Sequence, residues 1–369
     1  MDWDLHFKQS NFNLFMSQIN SEEILNQELD ELRAKIEQIQ LPEELLLKLK
    51  KELVSLERSV KLGNYDEKYD KVSRYLDWVI KIPFAQKSED TLDIQAAKAI
   101  FDKHHYGLKE VKDRFLEYLA ILNLQKQNFT NQEFSAPILL LVGLVGTGKT
   151  TFAYSLAEAL GRQILRIPIG GMVSAKELRG ESRLILEAQP GAIIQGLCEA
   201  KTMNPVILLD EIDRAADEAN NDIMGVLVEL LDPAQNHAFV DNYINYPVNL
   251  SQAIFIATCN NTRRIATAVI DRMERIDMPS YSDEEKIVIA KKYILPGVMK
   301  EAGLKENQFK IDEAIWPTLV RPLGFDAGVR TLQRTLKGAV RKAARIIVER
   351  GFKEVIIGPD NVKIFLPSY

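Results

Sequence analysis

The sequence predicts an α/β fold: a parallel sheet sandwiched by helices, preceded by a helical N-terminal region and followed by a small, mainly helical C-terminal domain. Three observations predict it. Apolar runs at 138–142, 163–168, 206–210, 254–258 and 275–278 alternate with helical patterns, and strands apolar nearly throughout belong in a parallel sheet buried on both faces. The first run leads into Gly143-Leu-Val-Gly-Thr-Gly-Lys-Thr150 and then an amphipathic stretch, the strand, glycine-rich loop and helix order of a phosphate-binding loop. Finally, residues 22–62 and most of the chain between Pro279 and Arg350 carry helical rather than strand periodicity.

Taken in order, Ser21 followed by Glu22 and Glu23 signals a helix start, with Ile24, Leu25, Leu29, Leu32, Ile36 and Ile39 at helical spacing. Leu41-Pro42-Glu43-Glu44 restarts a second helix with Leu45, Leu49, Leu53 and Leu56 on one face, so the pair reads as a hairpin. A third helix over 69–80 carries Val72, Tyr75, Leu76 and Val79 and stops at Ile82-Pro83. The polar stretch 84–93 reads as a linker between a helical region, 1–83, and a large α/β domain, 94–279. In the latter a helix runs to about Lys103, His104-His105-Tyr106-Gly107 makes a turn, and a second helix covers 108–127. After the phosphate loop a helix over 150–160 is stopped by Gly161. The remainder, 280–369, is the small domain, helical apart from a brief strand at 354–357.

Composition bounds the function classes. The chain has 369 residues, 46% hydrophobic and 27% charged, which excludes fibrous and disordered classes. No apolar stretch approaches the roughly 18 residues that cross a bilayer, and the N-terminus lacks the basic region and apolar core of a secretion signal, so the expectation is a cytoplasmic protein. Cys198 and Cys259 have no redox or metal-ligand spacing, and His6, His104, His105 and His237 have no ligand companions. A net charge of −5 gives no global field for nucleic acid. The local exception is a basic run of Arg330, Arg334, Lys337, Arg341, Lys342, Arg345, Arg350 and Lys353.

The chemistry lies in two motifs. In Gly143, Leu144, Val145, Gly146, Thr147, Gly148, Lys149, Thr150 and Thr151 the backbone N–H groups are free to cradle phosphate oxygens. Lys149 adds a point charge and Thr150 a Mg²⁺ ligand. About sixty residues on, the run 206–209 ends in Asp210-Glu211-Ile212-Asp213. Asp210 at a strand end suits a Mg²⁺ held through water, and Glu211 suits the base that orients and deprotonates an attacking water. Together they imply a nucleoside triphosphate with Mg²⁺, and hydrolysis rather than passive binding.

Asp210-Glu-Ile-Asp213, Leu230-Leu-Asp-Pro-Ala-Gln-Asn236 with Phe239 and Tyr243, Ala257-Thr-Cys-Asn260, Asp271-Arg-Met-Glu274 and Gly328-Val-Arg330 together resemble the AAA+ ATPase module of the Lon protease family. So do His105-Tyr-Gly-Leu108 and the segment from Gly170-Gly171 to Pro190-Gly191, and the similarity covers nearly the whole chain. The resemblance implies that Asn260 is the polar sensor of the attacking water or terminal phosphate. It implies that Arg272 is an arginine finger for a neighbouring subunit and that Arg330 is the second sensor, closing the small domain onto the nucleotide. Tyr106, Gly107, Leu108, Tyr293 and Ile294 are expected to line the adenine pocket. A homo-oligomeric, hexameric ring acting on protein substrates, or with a protease partner, follows from the same resemblance.

The chain also departs from that family. Nothing up to Tyr369 matches a serine-lysine protease domain, so no peptide-bond cleavage is expected from this chain alone. The first pore loop reads Arg183-Leu-Ile-Leu-Glu-Ala-Gln189, which puts Ile185, followed by Leu186, at the position of an aromatic residue and Glu187 where glycine is expected. Leu144-Val145 replaces a proline pair in the phosphate loop. Three readings stay open on sequence alone: an ATP-hydrolysing remodeller or protease ATPase, a slow nucleotide-binding regulator of a full-length ring, and a DNA-acting ATPase.

Overall fold

The computed structural model describes residues 27–37, 40–61, 66–128, 136–321 and 327–366. The expected apolar positions Ile24, Leu25 and Ile39 lie outside them. Among the described residues nine strands form: β1 (Ile138–Val142), β2 (Ile164–Pro168), β3 (Val206–Asp210), β4 (Phe239–Val240), β5 (Pro247–Val248), β6 (Ile254–Cys259), β7 (Met273–Asp277), β8 (Phe309–Ile311) and β9 (Val355–Ile357). The chain divides into two compact units, one of residues 1–88, 173–205 and 225–253, the other of 89–172, 206–224 and 254–369.

The second unit holds the sheet. β2, β3, β6, β1 and β7 lie side by side in that order, all parallel, with Leu139 opposite Ile256, Leu209 opposite Ala257 and Leu140 opposite Arg275. All residues of β1, β3 and β6 are buried, which is why these three runs lack polar alternation and were legible as central strands. Edge strand β2 alternates instead, with Leu165 and Ile167 buried and Arg166 and Pro168 exposed. The helix Lys149–Leu160 buries Phe152, Leu156 and Leu160 into the same core as Phe101 and Phe115, and Gly161 ends it at φ 69°, as its sequence position requires. A second core gathers Phe309, Trp316, Leu319, Leu336 and Val340 around the helix Arg330–Arg350, where β8 pairs parallel with β9. β8 was not expected, since Lys310 interrupts its two apolar residues, whereas β9 is the continuous apolar run Val355-Ile-Ile357.

In the first unit the helices Glu43–Lys61 and Asp66–Lys81 bury Leu45, Leu49, Leu56, Tyr75, Leu76 and Val79 completely. The Tyr75 hydroxyl donates to Ile244 O at 3.1 Å, and its ring stands 6.2 Å from that of Tyr243. The polar stretch 84–93 crosses the boundary between the two units, and each of its ends is tethered within the unit to which that end belongs. Ser88 N donates to Asn204 Oδ1 at 2.9 Å, Asp90 takes two bonds from the Arg162 guanidinium at 2.6 and 2.8 Å, and Asp93 caps the helix Ile94–His104. In the basic run, Lys337 pairs with Glu301, Arg345 with Glu349, and Lys342 donates to Ile364 O and Leu366 O. No described helix is long and apolar enough to cross a membrane.

Candidate active site

The site is built where β1, β3 and β6 end. After Val142 the phosphate loop turns through Gly146 (φ 83°) and Gly148 (φ 94°), left-handed conformations that glycine adopts without penalty. Gly146 also lies against backbone, because a Cβ there would stand 3.0 Å from Arg330 N and 3.1 Å from Val329 N. Thr147, fully buried, donates from Oγ1 to Leu144 O at 2.9 Å, and Thr151 Oγ1 donates to Gly148 O at 2.7 Å, so side chains brace the loop from inside. Lys149 is buried, and its Nζ donates to Gly143 O (2.6 Å), Leu144 O (3.0 Å) and Asn260 Oδ1 (3.2 Å). Desolvation lowers the pKa of this ammonium, opposed by the charges of Asp213, Asp210 and Glu211 among others.

At the end of β3 the two carboxylates are held differently. Asp210 is buried and its Oδ1 accepts from Thr258 Oγ1 at 2.5 Å and Thr150 Oγ1 at 3.4 Å. Arg166 Nε and Nη2 both donate to its Oδ2, at 2.9 and 2.7 Å. Glu211 takes the left-handed region (φ 57°), its Oε1 lies 3.6 Å from Arg214 Nη1, and its N–H donates to the same Thr258 hydroxyl at 2.9 Å. Thr258 therefore holds the Asp210 carboxylate through its O–H and the Glu211 backbone through its lone pair. Gly170 lies close by, since a Cβ there would meet Glu211 Oε2 at 3.0 Å. Just past β6 the backbone N–H groups of Asn260 and Asn261 both donate to buried Asp213 Oδ2, at 3.1 and 3.3 Å.

These residues share a cavity of about 470 Å³. Val145, Gly146, Gly148, Lys149, Thr150, Thr151, Asp210, Glu211 and Asn260 line one side, and His105, Tyr106, Tyr281, Tyr293, Val329 and Arg330 are among those that line the rest. His105 stacks on Phe152 with centroids 3.6 Å apart and pairs through Nε2 with Ser155 Oγ at 2.9 Å. Burial first, then the nearby Lys112 charge, pushes its pKa down to about 3, so the ring is neutral. Other expected residues sit elsewhere. Gly143, Leu144 and Leu108 line a neighbouring cleft of about 630 Å³, which Asn260 also borders. Gly107 (φ 63°) packs against Glu285, and Ile294 packs on the apolar cores. Arg272 is not among the cavity's lining residues, and its Nη1 donates to Ala268 O at 2.5 Å. In the other unit Ile185 and Leu186 are 46% and 68% exposed, and Glu187 takes φ 63°, the conformation that glycine at this position would supply.

Sequence reasoning missed Arg166, Thr258 and Asp213. Arg166 on an edge strand reads as a solvent-facing residue, and Thr258 reads as part of an apolar run. Only Asp213, three residues beyond Asp210, carried a signal, as a carboxylate one helical turn away.

The site fits a triphosphate with a hard cation. Asn260 keeps a buried Nδ2 without an acceptor, which a phosphate oxygen or a water would supply. Thr150 and Asp210 offer oxygen ligands of the kind Mg²⁺ prefers, and among the described residues no group of three or more His, Cys, Asp or Glu side chains could hold a metal without the nucleotide.

Residues 139–280 match the model of the ATPase family associated with various cellular activities (AAA), and residues 300–355 match that of the Lon protease AAA+ ATPase lid domain. The chain belongs to the Lon family of AAA+ ATPases. Lon protease 2 of Thermus thermophilus is 41% identical over 92% of this chain and 43% of its own length. The Lon protease of Clostridioides difficile is 39% identical over 98% of this chain and 45% of its own length, and that of Bacillus thuringiensis 38% over 97% and 44%. The chain thus spans a little under half the length of these Lon relatives. Lys149, Thr150, Asp210, Glu211, Asn260 and Arg272 fall in the AAA match and Arg330 in the Lon lid match.

Proposed function

We infer that this chain couples ATP hydrolysis to work on protein substrates, as the ATPase part of an ATP-dependent protease or as a remodeller, in a cytoplasmic ring of six subunits. The observation that carries this reading is the convergence of Lys149, Thr150, Asp210, Glu211 and Asn260 on one cavity with the phosphate loop. Loop amides and Lys149 grip the phosphates, and Lys149 reaches them by giving up its bonds to Gly143 O and Leu144 O. Thr150 and Asp210 hold Mg²⁺, which when bound neutralises charge on the phosphate oxygens. Glu211, anchored through its N–H to Thr258, takes the proton of the attacking water. Asn260, whose backbone Asp213 fixes, orients that water or the terminal phosphate. Arg330, at the first position of its helix, contacts the nucleotide from the lid side.

Arg272 acts in the neighbouring subunit's site, a role supported by its place outside the cavity of its own chain. Leu184, Ile185 and Leu186, exposed on a loop that keeps the left-handed turn at Glu187, grip unfolded polypeptide by apolar contact. The test is Glu211→Gln, which should bind ATP like the parent and lose about 10²-fold or more of turnover. Parental turnover in that variant would remove Glu211 from the mechanism. Turnover per subunit should also rise with protein concentration and vanish in Arg272→Ala, whereas a concentration-independent rate would argue against action between subunits.

A further inference from the structure

We propose that Arg166 is an exchangeable counter-ion of Asp210: it holds the carboxylate while the pocket is free of metal and yields it to Mg²⁺, its guanidinium then turning to the phosphates. The inference rests on the nucleotide-site reading above and extends it to a residue that neither phosphate-binding motif contains.

Arg166 projects from β2, which pairs in parallel register with β3 so that Pro168 stands opposite Asp210. Its Nε and Nη2 both fall on Oδ2 of Asp210, while Thr258 and Thr150 occupy Oδ1. A carboxylate engaged on both oxygens accepts a metal ion or metal-bound water only when one partner leaves. Thr258 is not free to leave, because it is fully buried and also accepts the Glu211 N–H. The Arg166 side chain is 52% exposed against 6% for that of Asp210, and it lines the cavity. Arg166 is therefore the partner that can move without breaking packing. Once released, its planar fork suits a bidentate grip on phosphate oxygens bound in the same cavity. Without Arg166, a buried carboxylate faces a polyphosphate of like charge until a cation arrives.

The consequence is measurable as linkage between metal and nucleotide. Binding of the fluorescent N-methylanthraniloyl derivative of ADP is titrated in excess Mg²⁺ and in excess EDTA, for the parent, Arg166→Gln and Arg166→Lys. In Arg166→Gln the ratio of the EDTA to the Mg²⁺ dissociation constant should rise about tenfold over the parent, equivalent to about 1.4 kcal/mol. By reciprocity the Mg²⁺ concentration that half-restores binding should fall by the same factor. Arg166→Lys, which keeps the charge but not the fork, should shift the ratio in the same direction by less, and it carries the test if the Gln variant does not fold. A ratio within twofold of the parent in a folded variant overturns the proposal while leaving the nucleotide site intact. A parent that binds the probe under neither condition overturns the nucleotide-site reading itself, and this inference with it.

Discussion

Gly328 offers a sharp test of how the lid segment meets the phosphate loop. A Cβ added there would stand 2.3 Å from Val145 O, 2.5 Å from Gly146 C and 2.7 Å from Gly146 Cα, where ordinary contact begins at 3.4 Å. All three are backbone atoms, so no rotamer change relieves the overlap, and Gly328→Ala must push the two segments apart by about 1 Å. That separation stretches the Val329 N to Gly146 O hydrogen bond, now 3.2 Å, beyond bonding range and removes about 0.5–1.5 kcal/mol of lid closure. Nucleotide affinity should fall roughly two- to tenfold. Arg330, two residues on, moves with the backbone, and under the role proposed for it a displacement of about 1 Å should cost up to about 10²-fold in rate. Because the Trp316, Leu336 and Val340 core is untouched, the thermal midpoint should stay close to the parent. Steady-state ATP hydrolysis, nucleotide titration and a thermal melt give the three readings. Parental turnover and affinity in Gly328→Ala would refute the argument that this contact controls the lid, and a collapse of the melt would show that Gly328 serves folding instead.

Two further expectations concern stability. Asp90→Ala removes the carboxylate that takes two bonds from the Arg162 guanidinium, whose side chain is 3% exposed, and should cost about 1.5–3 kcal/mol in urea unfolding; a loss under about 0.5 kcal/mol would show that these two bonds contribute little to stability. His105 has a folded pKa of about 3 against 6.5 when unfolded, so below pH 6.5 the unfolded chain binds a proton that the folded one does not. Its contribution is complete above pH 6.5 and is lost towards pH 3 at up to about 1.4 kcal/mol per pH unit. His105→Gln should flatten that part of the stability profile, and an unchanged slope would assign the acid sensitivity to other groups.

Much of this was legible in sequence because burial wrote it there. Residues 138–142 and 206–210 coincide with β1 and β3, since strands covered on both faces have no polar alternation to blur their ends and each is closed by a chemically distinct residue, Gly143 or Glu211. β7 begins at Met273, ahead of the expected 275, because at the sheet edge Met273 is only partly covered and Glu274 and Arg275 are exposed, which leaves no continuous apolar signal. β4 and β5, two residues each, are held by one antiparallel pairing of Phe239 with Val248, a contact at a sequence separation that periodicity cannot see. The phosphate loop and the Asp210-Glu211 pair could be read because their residues are consecutive. Arg166, Thr258 and the Asp213 clamp on Asn260 could not, because each acts across strands on a residue more than forty positions away.

The order β3, β6, β1 means that the acidic pair, Asn260 and the phosphate loop leave three adjacent rungs of one ladder. Neighbouring rungs are about 4.8 Å apart, so the outer two are separated by roughly 10 Å, the length scale of an extended triphosphate with its cation. The gauge of the pocket is thus set by main-chain hydrogen bonding rather than by the loops that decorate it. Connections between rungs can lengthen or shorten without altering it, whereas a slip of a single residue along β6 would turn Asn260 to the opposite face and disable the enzyme with every ligand still encoded.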